Sequence, residues 1–256
     1  MGTKDRHNHL TEIVTSCSNC KLSSLCLPQG LVTSELEGLK TIVKQLPSVN
    51  FKKTIYKQGD EFKYLYILRS GGVKVYTTNP DGAEQVMSFT LPGELLGIDA
   101  IASGQHRTTA SALDTVALCR LEFAKFEELC MEIPKLSKHI LRVIGQELVT
   151  EHDLRSALVH KSAEERIAVF IMSMSTRFSL LGYSRTEFNL PMARSDIADY
   201  LGLTSETVSR KFAKIREDGI IDVERKKIRI KDMDTLKKMA GHCAECPTTQ
   251  IAQIGA

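Results

Sequence analysis

From about Val49 to Glu122, apolar and polar residues follow one another in short runs that glycine and proline divide. The run Val73 to Tyr76 alternates with a period of two, which is the pattern of a half-buried strand. Turn residues stand at positions 70–72 and 80–82. Many short strands with frequent turns are typical of an antiparallel roll or barrel, so this part of the chain predicts a small β domain. Further strand candidates are Tyr64–Leu68, Val86–Leu91 and Thr115–Leu121.

A helical period of three and four residues replaces this alternation after Leu121. Phe123 to Met131 predicts a short amphipathic helix, and a long helix is predicted from Pro134 to about His160. Its apolar stripe has coiled-coil spacing, which is typical of a helix that packs on a partner. The alternative is a helix buried within one subunit. We expect a homodimer whose interface consists of Leu141, Ile144, Leu148, Glu151, Arg155 and Leu158.

A new domain is predicted from residue 161, because Ser162 and Glu165 form a capping box that begins a helix. Further on, Ser195–Tyr200 predicts a short helix and Gly202 a tight turn with a positive φ. Thr204 has the right side chain to cap a second helix that runs to about residue 217. A helix, a glycine turn and a capped helix in this order are the helix-turn-helix arrangement.

The exposed face of that second helix has the chemistry of a major-groove reader. Arg210 can donate two hydrogen bonds to guanine, Glu206 can accept one from cytosine, and Ser209 shares their face. Lys211 and Lys214 flank this face and are candidates for phosphate contacts. The alternating segment 221–230 turns at a basic corner and predicts a β wing. DNA binding is therefore the favoured hypothesis, and the alternative is an exposed helix with a Glu206–Arg210 salt bridge.

Composition supports this interpretation only modestly. The chain has 256 residues, of which 42% are hydrophobic, and its net charge is +3. Residues 1–160 carry 18 basic and 18 acidic side chains, whereas residues 161–256 carry 16 and 13, so the positive excess lies in the predicted DNA-binding part. No apolar run approaches the roughly 18–20 residues that span a bilayer, and the N-terminus is polar. We expect a soluble, cytoplasmic protein without a membrane partner.

Seven cysteines without a secretion signal make a disulfide framework improbable and favour metal or redox chemistry. Soft thiolates select zinc, copper(I) or iron–sulfur clusters. The spacing alone leaves two other possibilities open. Two Cys-x2-Cys pairs are compatible with a four-thiolate zinc site, and the first pair with a thiol redox enzyme, although its proline- and glycine-containing surroundings do not favour a thioredoxin-like site. The cysteines are Cys17, Cys20, Cys26, Cys119, Cys130, Cys243 and Cys246.

Four stretches resemble the CRP/FNR family of bacterial transcription regulators, and within it the oxygen-sensing FNR (fumarate and nitrate reduction regulator) proteins. They are Cys17-x2-Cys20-x5-Cys26, residues 91–100 (LPGELLGIDA), residues 163–166 (AEER) and Thr204-x-Glu206-x2-Ser209-Arg210. The resemblance covers about residues 17–242 and implies an α+β fold. Its parts are a cysteine-rich segment (1–30), an antiparallel β-roll sensor domain (31–132), a dimerisation helix (133–160) and a winged helix-turn-helix domain (161–256).

The resemblance also implies a function. It assigns Cys17, Cys20, Cys26 and Cys119 to an oxygen-labile [4Fe–4S] cluster that promotes dimerisation. Cys130 is expected to be a core cysteine, because it lies on the apolar face of the predicted short helix. The resemblance implies that two recognition helices bind TTGAT-type palindromic sites through Glu206, Ser209 and Arg210. The sequence shows no Ser-His-Asp arrangement, Walker loop or His-Glu-x-x-His motif, so we do not expect an enzyme. The resemblance further implies contact with RNA polymerase, for which the turn 79–82 is a candidate, and control of genes of anaerobic metabolism. Glu151 matches an acidic seam residue that implies a marginal dimer; the alternative is that Arg155, one turn further on, neutralises it.

A cyclic-nucleotide-responsive regulator on the same scaffold is the second hypothesis. Gly97 matches the glycine of that branch's phosphate-binding turn, and Arg107-Thr108 matches its later Arg-Ser or Arg-Thr. Ile98, however, stands where the ribose-binding Glu belongs, so the ribose hydroxyls lose their acceptor. We therefore do not expect a cyclic nucleotide, although anion binding stays open. His106, His139 and His152 are scattered along the chain and are expected to be exposed rather than catalytic.

Overall fold

The computed structural model describes residue 17 and residues 20–241. Strands of the first half form two four-stranded antiparallel sheets, in the orders β1-β8-β3-β6 and β2-β7-β4-β5. Together they make the β-roll that the alternation predicts. The strands are β1 Val43–Gln45, β2 Thr54–Tyr56, β3 Tyr64–Ser70, β4 Val73–Thr78, β5 Glu84–Thr90, β6 Leu95–Leu96, β7 Thr109–Ala112 and β8 Ala117–Glu122.

Alternation explains how the roll is filled. Val73 and Val75 of β4 point inward and are 0% and 8% exposed, whereas Lys74 between them remains partly exposed. Leu68, Leu118 and Val116 complete the apolar layer between the two sheets. Val73 and Val75, and likewise Val116 and Leu118, follow each other at the two-residue period of a strand, so the predicted strands are confirmed.

Within the predicted sensor domain 31–132, regular elements begin before Val49, where the predicted strand pattern starts. Helix α1 (Thr33–Ile42) and β1 precede that residue, and β1 pairs with β8 so that Gln45 lies opposite Cys119. Leu39 of α1 is fully buried against α2 (Phe123–Glu132). A three-residue strand is too short to show a period, which is why the pattern did not indicate it.

A 27-residue helix, α3 (Pro134–His160), follows α2 and agrees with the predicted long helix. Pro134 lies in its first turn, where the missing N–H costs no hydrogen bond. Helix α4 (Ala163–Leu180) then begins at the predicted capping box: Glu165 N–H donates to Ser162 Oγ, and Ser162 N–H donates to the Glu165 carboxylate. The division of the chain at residues 30, 132 and 160 stays a prediction.

The C-terminal part is a winged helix-turn-helix. Its three-stranded sheet has the order β10-β11-β9, and the third strand, β9, was not predicted. A continuous apolar core joins this part to the outer face of the roll through Val86, Phe89 and Leu113. Its further elements are β9 Glu187–Asn189, α5 Arg194–Tyr200, α6 Ser205–Glu217, β10 Ile221–Glu224, β11 Lys227–Ile230 and α7 Met233–Ala240.

Polar contacts also join the two parts. The carboxylate of Asp199 on α5 accepts a hydrogen bond from Val86 N–H at 2.6 Å, and Gln85 Nε2 donates to the Asp199 carbonyl at 2.9 Å. The Arg177 guanidinium of α4 binds Glu94 of the roll. Among the helices of the described residues, none has the length and apolarity needed to cross a membrane.

Candidate nucleic-acid interface and cysteine cavity

Helix α5, a tight turn and helix α6 form the helix-turn-helix. Gly202 in the turn has φ +62°, as predicted, and Leu203 N–H closes the turn by donating to the Ala198 carbonyl at 2.8 Å. Thr204 Oγ1 accepts from Thr207 N–H at 3.1 Å and caps α6. The turn and the cap therefore determine the direction in which α6 leaves α5.

Helix α6 has a buried stripe and an exposed face. Val208, Phe212 and Ile215 are 0%, 4% and 1% exposed and attach the helix to the core. Glu206, Ser209 and Arg210 are all exposed on the other side. The structure thus brings the three predicted base-contacting residues together on one free helical face.

The alternative salt bridge is present as well. Arg210 Nε lies 3.7 Å from Glu206 Oε1, with the two side chains 70% and 79% exposed. An ion pair this open to water contributes on the order of 0–1 kcal/mol. Such a weak pair leaves the Arg210 guanidinium free to exchange its partner for a guanine edge.

The two predicted phosphate contacts share an acidic partner that the sequence did not reveal. Lys211 Nζ and Lys214 Nζ both donate to Glu164 Oε1 of α4, at 2.7 and 2.9 Å. These hydrogen bonds lower the pKa of Glu164 and raise that of Lys214. Glu164 therefore links these two ammonium groups of α6 to α4 and partly neutralises their positive charge.

Arg194, in the first turn of α5, is a second residue that sequence reasoning missed. Its guanidinium lies 3.6 Å from the centre of the Phe212 ring, in cation–π contact. Burial lowers the pKa of Arg194 to about 10, and its Nη1 has no hydrogen-bond partner in the described part of the chain. This side chain stabilises the packing of α5 on α6.

Four cysteines line one cavity, which lies between the N-terminal turns and the sheet β1-β8-β3. Cys119 belongs to β8, the strand between β1 and β3, with Gln45 on one side and Ile67 on the other. The remaining three come from the consecutive turns that precede α1. The four are those that the resemblance selects: Cys17, Cys20, Cys26 and Cys119.

The cavity is mostly apolar, and its surroundings decide how the thiols ionise. Burial raises the pKa of Cys26 to about 12 and that of Cys119 to about 11, and it also raises that of Cys17. The guanidinium of Arg69 lines the same cavity and opposes the rise at Cys17 and Cys119. Within residues 17 and 20–241, no three Cys, His, Asp or Glu side chains are close enough together to hold a metal ion as they stand.

The long helix α3 exposes the predicted seam. Leu141 and Leu148 are 67% and 56% exposed, and Ile144 lies between them at 36%. Glu151 is half-buried, and its burial raises its pKa while Arg155 lowers it. Leu158, at the end of the seam, is half-buried and lies close to Gly202 of the helix-turn-helix turn.

Comparisons with known proteins match the β-roll and the winged helix-turn-helix to two known families. Residues 49–133 match the family described as "Cyclic nucleotide-binding domain", and residues 165–239 match "Crp-like helix-turn-helix domain". The chain is 40% identical over 226 residues to the "Fumarate and nitrate reduction regulatory protein" of Escherichia coli (strain K12), covering 88% of this chain and 90% of that protein. It belongs to the CRP/FNR family of transcription regulators.

Two further members illustrate the range of similarity. The "Anaerobic regulatory protein" of Aggregatibacter actinomycetemcomitans is 40% identical over 225 residues, which is 88% of each chain. The solved structure of FixK2 from Bradyrhizobium japonicum has a TM-score of 0.71 and 28% identity, over 77% of this chain and 97% of that one. The homologues and the fold of this chain are those of CRP/FNR transcription regulators and not of enzymes.

The three remaining cysteines of this CRP/FNR regulator are Cys130, Cys243 and Cys246. Cys130 of α2 does not line the cavity; it is half-buried against the apolar core beneath α1 and α2. Its position agrees with the expected core cysteine. Cys243 and Cys246, which the zinc alternative requires, lie outside the described residues.

One expectation about histidines was wrong. His106 is buried at 4% exposure, because its ring stacks on Tyr56 with centroids 3.8 Å apart. Its position inside the roll follows from the turn before β7, which no local pattern in the sequence indicates. His139 is half-buried and His152 is exposed.

Proposed function

We propose that this CRP/FNR regulator responds to oxygen through a [4Fe–4S] cluster bound by Cys17, Cys20, Cys26 and Cys119. The observation that carries the proposal is that Cys119, which is distant in sequence, lines the same cavity as the three N-terminal cysteines. The names of the relatives, which concern fumarate and nitrate reduction and anaerobic regulation, support the same physiological role.

The donor set fits such a group. Four thiols are the usual ligand set of an iron–sulfur cluster, and an apolar cavity keeps water away from its sulfurs. The raised thiol pKa values mean that ligation has to displace protons, and the positive charge of Arg69 favours the resulting thiolates. When bound, the cluster supplies an oxygen-labile iron centre. Because Cys119 lies on β8 and the other three precede α1, ligation would draw the N-terminal turns against the roll.

The DNA-reading proposal concerns the exposed face of α6. Arg210 donates to a guanine, Glu206 accepts from a cytosine, and Ser209 contacts the same TTGAT-type half-site. Lys211 and Lys214 supply phosphate contacts, for which they have to leave Glu164 or share it. Two such helices, one turn of DNA apart, require a homodimer.

We further propose that α3 forms the dimer interface. Its exposed Leu141, Ile144 and Leu148 are apolar side chains that water would not stabilise. Glu151 continues the same stripe, where the two copies would repel each other and keep the dimer marginal until the cluster is bound. The exposed turn 79–82 between β4 and β5 is the candidate contact for RNA polymerase.

Cysteine substitution under anaerobic conditions tests the cluster proposal. Cys119→Ser should abolish the visible absorbance and the bound iron and sulfide of protein purified without oxygen, because a fourth thiolate is lost. Cys130→Ser is the matched control, since Cys130 does not line the cavity, and it should retain both.

Full cluster absorbance in Cys119→Ser would contradict the assignment, and Cys130 or Cys243 would be tested next. Zinc in place of iron and sulfide in the wild-type protein would instead support the four-thiolate zinc alternative. Calorimetric titration with a cyclic nucleotide, expected to show no binding, tests the second hypothesis.

A further inference from the structure

A carboxylate of the chain itself occupies a turn inside the β-roll. Asp99 Oδ2 accepts three hydrogen bonds: from Arg107 N–H at 2.8 Å, from Thr108 N–H at 3.0 Å and from Thr108 Oγ1 at 2.9 Å. We call these three donors the oxyanion cradle. Successive backbone N–H groups that converge on one point form an anion-binding concavity, and a hydroxyl strengthens it.

The backbone around Asp99 is built to deliver this carboxylate. Gly97 has φ +92°, and a Cβ there would lie 3.2 Å from His106 Cε1 and 3.3 Å from the Tyr64 carbonyl oxygen. A single 3-10 turn, Ile98–Ala100, follows and directs Asp99 toward the cradle. The glycine is therefore required both by its conformation and by the lack of space.

The cradle lies against buried aromatic groups. His106 is 4% exposed, and its Nδ1, which lies 3.7 Å from Asp99 Oδ1, has no hydrogen-bond partner in the described part of the chain. Burial lowers the pKa of His106, so the imidazole is neutral at pH 7 and adds no charge. The hydrogen-bonding capacity of this buried Nδ1 is therefore unmet beside the carboxylate, which is rare in folded proteins.

We propose that Asp99 is an internal substitute for a phosphate: it occupies an oxyanion cradle within this cyclic-nucleotide-binding-type domain and so closes the roll to phosphate-bearing ligands. An incoming phosphate would have to displace a tethered group of the same charge that already satisfies all three donors. Removing the carboxylate leaves the exposed Arg107 N–H and the part-buried Thr108 N–H and hydroxyl without this acceptor, and a free oxyanion can then satisfy them. Asp99, together with Ile98, thus determines that the domain lacks a nucleotide site.

The substitution Asp99→Ala tests this proposal in the full chain. Its melting temperature is measured against increasing inorganic phosphate, or against 3′,5′-cyclic adenosine monophosphate, with potassium chloride at equal ionic strength as reference. At a phosphate concentration ten times the dissociation constant, we expect a rise of about 3–6 °C. Asp218→Ala removes the same charge at an exposed position after α6 and should show no such rise.

The amide resonances of Arg107 and Thr108 locate the binding. In Asp99→Ala they should shift saturably with phosphate, and in the wild-type protein they should not move. A response to either phosphate compound at these amides supports the cradle, and the comparison of the two shows whether a nucleotide adds contacts. A folded Asp99→Ala variant without a response would overturn the proposal. So would a saturable shift of these amides in the wild-type protein, which is measurable even if the variant does not fold.

Discussion

The contact between α4 and the roll depends on one arginine. Arg177 Nε donates to Glu94 Oε1 at 2.8 Å, and its Nη2 donates to Glu94 Oε2 and to the Phe89 carbonyl. Glu94 Oε2 also accepts from Leu91 N–H at 2.8 Å, which orients the carboxylate toward the helix. Replacing Arg177 by methionine keeps an unbranched apolar stem and removes all three donated hydrogen bonds.

The expected loss lies between two limits. Removing one partner of a fully buried ion pair costs about 3–5 kcal/mol, whereas an exposed pair contributes about 0.2–1 kcal/mol. The Arg177 side chain is 16% exposed and that of Glu94 is 38% exposed, so water screens the carboxylate that is left behind. We therefore expect Arg177→Met to lower the free energy of unfolding by about 2–3 kcal/mol, of which the lost hydrogen bond to the Phe89 carbonyl accounts for part.

Thermal unfolding followed by circular dichroism measures this loss. For a chain of this size, 1 kcal/mol corresponds to about 2–4 °C, so the melting temperature should fall by about 4–12 °C. Arg185→Met, at an exposed position in the loop after α4, is the control and should change it by less than about 2 °C, since exposed substitutions stay within about 0.5 kcal/mol. If both variants have the melting temperature of the wild-type protein, Arg177 does not stabilise the contact between α4 and the roll.

Three further predictions concern the recognition helix, the long helix and the cysteine cavity. Arg210→Ala should cost about 1–3 kcal/mol on specific DNA alone, and Lys214→Ala should weaken binding to all sequences and flatten the salt dependence; equal losses of Arg210→Ala on specific and scrambled DNA would refute direct readout. Glu151→Ala should dimerise and bind its site in air, and a monomer in sedimentation would show that this residue is not the gate. Burial raises the Cys26 pKa from 9.0 to about 12. In metal-free protein, the buried neutral thiol of Cys26 should therefore contribute fully to the free energy of unfolding below pH 9, and this contribution should be lost as the pH rises toward 12. Denaturant midpoints at pH 8 and pH 10.5 measure this loss. From pH 8 to pH 10.5, the Cys26→Ala variant should lose less stability than the wild-type protein.

Signals from residues close together in the sequence were sufficient to predict the recognition helix. The capping box at Ser162, the positive φ of Gly202 and the cap at Thr204 each depend on residues no more than four positions apart. The buried stripe of α6 follows from a helical period within one element. Such signals act through backbone geometry, so they hold wherever the segment lies in the fold, and the sequence alone determined the helix-turn-helix.

The cysteine cavity needed long-range pairing. The three N-terminal cysteines are clustered in sequence, but spacing alone did not select a fourth ligand, and only the resemblance assigned Cys119. The register of β1 on β8, with Gln45 opposite Cys119, brings Cys119 to the cavity. A strand of three residues carries no period, and its partner lies over seventy positions away.

The remaining contacts belong to the tertiary structure for the same reason. Glu164 reaches Lys211 and Lys214 across 47 and 50 positions, and Arg177 reaches Glu94 across 83. Nothing local to Asp99 in the sequence indicates that its carboxylate accepts a hydrogen bond from Thr108 N–H, because the two residues meet only in the folded roll. The sequence determined the elements with a clear period, such as α3, α6 and β4, and which face of each is apolar, because these depend on neighbours along the chain. Only the packing of the elements decided which charged groups meet, because a side chain's partners depend on distances that no local pattern encodes.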